Sequence, residues 1–88
     1  MIVLRSMFHV YILKCNDQTF YVGSTSDMAR RLHQHNTSKS GAHYTKIRRP
    51  VTLAYSEACD TYATARQREG QLKRLTRQQK ITLMKTAK

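Results

Sequence analysis

The chain has 88 residues, enough for one small α/β domain with its own core and too few for two. Sixteen Lys and Arg against five Asp and Glu leave a formal charge of +11, so water, nucleic acid or an anionic surface must face much of the molecule, and mimicry of an acidic protein is excluded. No apolar run approaches the roughly 20 residues of a membrane-spanning helix, and no membrane role is expected. The opening MIVLRSM lacks the apolar core and cleavage site of a secretory signal. Cys15 and Cys59 stand in no CxxC or Cys/His ligand spacing, and read as reduced thiols of a cytosolic protein, with nucleoid association open.

In chain order, FHVYIL (Phe8 to Leu13) and TFYV (Thr19 to Val22) are β-branched and aromatic and flank CNDQ, a predicted β-hairpin. Ser26 is the expected N-cap of a helix from Asp27 to His35, where Met28 and Leu32 lie one turn apart. Asn36 to Arg49 is rich in Ser, Thr and cations and reads as a mobile, cationic loop ended by Pro50. Val51 to Ser56 alternates Val51, Leu53 and Tyr55 against Thr52, Ala54 and Ser56, a third strand with one apolar face. Tyr62, Ala65, Glu69 and Leu72 recur at helical steps, and Thr76 with Gln79 makes a capping box for a last helix carrying Ile81 and Met84. The expected fold class is α+β, a three-stranded antiparallel sheet flanked by helices in the order β-β-α-β-α-α.

Five positions are unusual for such a domain. Glu69 is the only acid between Thr64 and Lys88, and it lies on the core-facing stripe. A carboxylate there needs a cation, either Arg66 or Lys73 in a helical ion pair or a divalent metal that also touches phosphate. Arg31 and His35 are four apart and share a helix face, as a solvated basic face or as two groups converging on one ligand. Tyr11 and Tyr21 share a sheet face only if an odd number of residues joins their strands, and would otherwise be separated.

Jointly these positions form a pattern. VYI at Val10–Ile12, YVG at Tyr21–Gly23, Arg31 ten residues on, His35 four later and Glu69 in a distant helix resemble the GIY-YIG endonuclease superfamily, and most of all its small single-domain branch. YVGST, RRLxxHN, GAHYT, RRPVxLxYSE and REGQLK carry the likeness from about Phe8 to Met84. The resemblance implies a phosphodiester hydrolase occupying residues 8–85 after an N-terminal extension, 1–7. It implies that Tyr11 helps deprotonate the attacking water, that Tyr21 contacts phosphate, that Arg31 meets the scissile phosphate, that His35 is an auxiliary polar contact, and that Glu69 is the single protein ligand of Mg²⁺ or Mn²⁺. An unperturbed phenol, with a pKa near 10, makes an awkward base. Gly23 is expected to clear the approach of the substrate backbone. The chain departs from the family pattern at Val10, where the first motif has glycine, and in having no Asn after Asn36, where Gln78, Gln79 or Lys80 are the available substitutes.

Nucleic acid, DNA ahead of RNA, is the expected partner. Phosphate contacts are expected from Lys39, Lys46, Arg48 and Arg49 in the loop and from Arg74, Arg77 and Lys80 near the last helix, with Tyr44 free to stack or hydrogen-bond. With no second domain in the sequence, low sequence specificity or selectivity for structure is expected, in a role such as repair or recombination. Two other classes fit the charge: a binding module of the same fold with little or no hydrolysis, and a ribosomal-type RNA-binding protein, against which the Tyr, Arg and Glu spacing argues.

Overall fold

The computed structural model describes residues 8–39 and 41–86; the expected extension 1–7 lies outside the described residues. Strands β1 (Phe8–Lys14), β2 (Phe20–Thr25) and β3 (Thr52–Cys59) form one antiparallel sheet in the order β2-β1-β3, with helices α1 (Met28–Thr37), α2 (His43–Lys46), α3 (Tyr62–Lys73) and α4 (Arg77–Thr86). The foreseen order is present, with the four-residue α2 added inside the segment read as a loop.

Period-2 alternation in β1 and β2 divides the sheet's two faces. Even positions Val10, Ile12 and Val22 pack with Ala65 and Leu72 of α3 and with Leu83 and Met84 of α4. Odd positions Tyr11 and Leu13 pack with Cys15 and Val51, against Met28 and Leu32 of α1 and Tyr44 of α2. Val10, the residue in the place of the motif glycine, is fully buried in the first cluster. The sheet is therefore a middle layer, and its two faces are read by different helices.

Three local expectations are corrected. Asp27, not Ser26, caps α1, its carboxylate accepting from Arg30 N at 3.1 Å; Ser26 lies one residue too far from the first free amides. β3 runs to Cys59, and its alternation breaks because the pairing with β1 shifts from Ile12–Tyr55 to Leu13–Leu53. One extra residue in a strand reverses the faces beyond it, so Tyr55 joins the α3 side, Val51 the α1 side, and Leu53 is 40% exposed. On α3, Ala65 and Leu72 are buried as expected, whereas Tyr62 is 57% exposed.

The thiols of Cys15 and Cys59 are free, and burial pushes both pKa values up. Among the described residues no helix is long and apolar enough to cross a membrane.

Candidate active site

The connection Cys15–Thr19 has an odd residue count, and the resulting register sets Tyr11 opposite Gly23 and Leu13 opposite Tyr21. Tyr11 and Tyr21 therefore share a face, their ring centroids 6.4 Å apart. α1 delivers His35 between them, 5.8 Å from the Tyr11 ring and 5.1 Å from the Tyr21 ring, with no solvent exposure.

A hydrogen-bonded chain runs through this cluster. Tyr11 Oη lies 2.8 Å from His35 Nε2, His35 Nδ1 lies 2.7 Å from Thr45 Oγ1, and Thr45 Oγ1 lies 2.9 Å from the Ala42 carbonyl oxygen. A carbonyl only accepts, so the single Thr45 hydroxyl proton goes to Ala42. Thr45 Oγ1 must then accept from His35 Nδ1–H, which leaves Nε2 of the neutral ring as acceptor for the Tyr11 hydroxyl. Burial, and then the positive charges of Arg31 and Arg49, push the His35 pKa down to about 4, so the ring is neutral at physiological pH. Burial likewise pushes the Tyr11 pKa up to about 12; a hydrogen bond from Arg31 pulls against that, while Tyr21 and Glu69 add to it. Arg31 also donates to Gln34 Oε1 at 3.0 Å.

Gly23 has its reason in the same cluster. A Cβ there would stand 2.5 Å from Tyr11 Oη and 2.7 Å from its Cζ, so glycine is what lets the phenol lie across β2. The space expected to admit a substrate backbone is filled by Tyr11.

The next residue, Ser24, points to the opposite face, towards α3. Its hydroxyl donates to Glu69 Oε1 at 2.7 Å, and Lys73 Nζ donates to Glu69 Oε2 at 2.8 Å, an i,i+4 pair. Burial pushes the Glu69 carboxyl up, but the hydrogen bonds from Lys73 and Ser24 and the charges of Lys73 and Arg66 outweigh it and hold the group below the usual carboxylate range. The ionised carboxylate opens on a cavity of about 290 Å³ lined by Ser24, Tyr62, Arg66, Glu69, Gly70 and Lys73.

One carboxylate, one hydroxyl and an open cavity make a hard oxygen donor set, which suits a cation such as Mg²⁺ that keeps several waters and shares its coordination with phosphate. A dedicated cage is not built here: among the described residues no three His, Cys, Asp or Glu converge.

The five residues singled out by spacing thus sit on both faces of one strand. β2 is the sheet's edge, with Tyr11, Tyr21 and His35 on one side of Gly23 and Glu69 on the other side at Ser24. The Glu69 charge is felt at Tyr11. Glu69 lines the open cavity against α3, while Tyr11, Tyr21 and His35 pack together on the opposite face of the sheet.

The expected phosphate-binding cations divide in the same way. Arg48 pairs with Asp17 at 2.9 Å, donates to Tyr44 O and lies 3.8 Å over the Tyr44 ring. Arg49 donates to the carbonyls of His35, Gln34 and Ser38, at 2.6, 3.3 and 2.7 Å, closing the C-terminus of α1. Arg77 donates to Gln18 O at 2.6 Å and covers Phe20. These three arginines hold the fold together, and Tyr44 is stacked between Arg48 and Tyr21. Lys39 and Arg74 are exposed and Lys46 and Lys80 half-buried. The segment read as mobile is tied down by its own cations.

Ser24, Thr45 and Gly70 escaped the sequence reading of the site. The first two stand inside YVGST and GAHYT, beside motif residues, but their partners are 45 and 10 residues away. A glycine in the middle of a helical pattern was the available signal for Gly70.

The model of the GIY-YIG catalytic domain matches residues 7–82. A UPF0213 protein of Syntrophus aciditrophicus is 46% identical over 77 residues, 88% of each chain. The UPF0213 protein SAG0778 of Streptococcus agalactiae is 48% identical over 80 residues, 91% of this chain and 90% of that one. Two solution NMR structures share the fold: EF2693 of E. faecalis, 42% identical with a TM-score of 0.60, and the UPF0213 protein BH0048 of Bacillus halodurans, 37% identical with a TM-score of 0.57, each alignment covering 89% of this chain and 82% of the other. With the match spanning nearly the whole described chain and the motif residues gathered at one sheet edge, this chain belongs to the GIY-YIG nuclease family, in its small UPF0213 branch.

Proposed function

We propose that the chain is an endonuclease dependent on Mg²⁺ or Mn²⁺ that hydrolyses phosphodiester bonds in DNA with low sequence specificity or with structure selectivity, in the cytosol, in repair or recombination. Residues 8–85 form its nuclease domain. The observation that carries this reading is the chain of hydrogen bonds from Tyr11 through His35 to Thr45. It ends behind the same edge strand whose other face holds an ionised carboxylate.

A phenol with a pKa of about 12 is not a phenolate at neutral pH, so Tyr11 does not act as a preformed base. It acts as a relay: its oxygen takes a proton from the attacking water as its own proton passes to His35 Nε2, 2.8 Å away. Protonating an imidazole of pKa about 4 costs roughly 4 kcal/mol at neutral pH. Thr45 keeps Nδ1–H fixed, so the ring receives the proton without turning. Arg31, hydrogen-bonded to Tyr11, meets the scissile phosphate, with the Tyr21 hydroxyl as a second contact. Glu69, with Ser24 beside it, would hold the divalent cation, whose charge would stabilise the negative charge that builds on the phosphate oxygens.

Labelled linear, forked and single-stranded DNA, and RNA, incubated with and without Mg²⁺ or Mn²⁺ test the proposal. Cleavage of DNA that requires metal and disappears in Glu69→Gln and Tyr11→Phe is expected; a nuclease activity that survives both substitutions refutes it. One observation favours the binding module instead: Lys73 already supplies a cation to Glu69 Oε2. Binding of DNA with no cleavage under either metal selects that reading.

A further inference from the structure

The cavity beside Glu69 contains two features that hydrolysis does not use. Tyr62 begins α3, where Thr61 and Thr64 form a reciprocal capping box, so its backbone is held rigidly. Phe8 packs against its ring at 5.7 Å and Arg66 donates to its hydroxyl at 3.0 Å, yet the side chain is 57% exposed and lines the cavity. Gly70 lies within the same helix, where glycine is costly relative to alanine. Its backbone is not left-handed, and a Cβ there would meet only Arg74 Nη1, at an ordinary 3.7 Å. Nothing inside the protein needs glycine at this position. What an added side chain would do is fill the cavity.

Resting on the nuclease reading, we propose that this cavity is a subsite for an unpaired nucleotide next to the scissile phosphate. Its base stacks on Tyr62, and its phosphate lies over Gly70 between Arg66 and Lys73, one helical turn to either side. An aromatic face, two cations and a bare stretch of backbone are the three elements by which single strands are held. A base inside a duplex has no free face to offer Tyr62, so the substrate class is a single strand or the single-stranded arm of a fork or flap.

The test uses the full chain in EDTA, with fluorescence anisotropy of labelled single-stranded DNA, single-stranded RNA and fully paired duplex. Tyr62→Leu keeps apolar packing on Phe8 and removes the π face. It should weaken single-strand binding about five- to a hundredfold and duplex binding less than twofold, while Tyr62→Phe binds as wild type. A strand carrying 2-aminopurine should be quenched by wild type and Tyr62→Phe and not by Tyr62→Leu. Gly70→Gln should raise Tm and weaken single-strand binding at least fivefold, an opposition that a purely structural glycine would not produce. Unchanged single-strand affinity in Tyr62→Leu or Gly70→Gln overturns the subsite, as does an equal loss on strand and duplex. Cleavage by metal-loaded wild type is scored separately. Strand discrimination without cleavage keeps the subsite and removes the nuclease; cleavage with Tyr62→Leu binding unchanged removes the subsite alone.

Discussion

Thr45→Val isolates the group that decides which nitrogen of His35 carries the proton. Valine matches threonine in shape, so the substitution removes a hydroxyl from a site with no solvent exposure and little else. The His35 Nδ1–H then loses its acceptor at 2.7 Å. Leaving it unpaired and buried costs about 1–3 kcal/mol. The ring can escape only by moving its proton to Nε2, where it faces the Tyr11 hydroxyl at 2.8 Å and ends that group's role as donor. In a domain of this size each kcal/mol is worth about 4–8 °C in Tm. Thermal unfolding by circular dichroism should therefore show a fall of at least 4 °C, while Thr45→Ser stays near wild type. Long-range ¹⁵N–¹H correlation of the His35 ring should report Nδ1–H in the wild type and Nε2–H in the variant, with DNA hydrolysis lost in the variant and kept in Thr45→Ser. An Nε2–H ring in the wild type, or a Thr45→Val chain of undiminished Tm with Nδ1–H intact, refutes the derivation of the relay.

Because His35 titrates near 4 in the fold and near 6.5 unfolded, the unfolded chain binds more protons between those values. Stability should rise with pH across that window, and about 3 kcal/mol should be lost on acidification through it, a loss that urea titrations at stepped pH should find absent in His35→Gln. Gly23→Ala places a Cβ 2.5 Å from Tyr11 Oη; overpacking of about 1–3 kcal/mol is expected, with hydrolysis lost as Tyr11 leaves His35, read from Tm and from the His35 ring resonances. Arg49→Ala removes three contacts to backbone carbonyls and should lower Tm while the salt dependence of DNA binding stays unchanged. Lys39→Ala, at an exposed position, should leave Tm unchanged and flatten the slope of log K against log[salt] on duplex by about 0.9, both measured by anisotropy across a salt series.

What the sequence determined by itself is whatever depends on neighbours within a few positions. The β-branched runs of β1 and β2, the spacing of Met28 and Leu32, and the Thr76–Gln79 capping box, with Gln79 N donating to Thr76 Oγ1 and Thr76 N to Gln79 Oε1, are such features. Tyr11, Tyr21, Arg31, His35 and Glu69 were singled out as candidates by their joint spacing and the family resemblance it carries. Even the face shared by the two tyrosines reduced to a parity that the turn had only to resolve. Tertiary structure decided which partner each group has. The bulge opposite Ile12 and Leu13 turned Leu53 outward; Arg48 and Arg49, indistinguishable in sequence from surface cations, were claimed by Asp17 and the end of α1; and Glu69 met Ser24 on the face opposite Tyr11. A residue's period names the face it occupies, but the group waiting there comes from another part of the chain, and burial and hydrogen-bond geometry choose it only once the elements have packed.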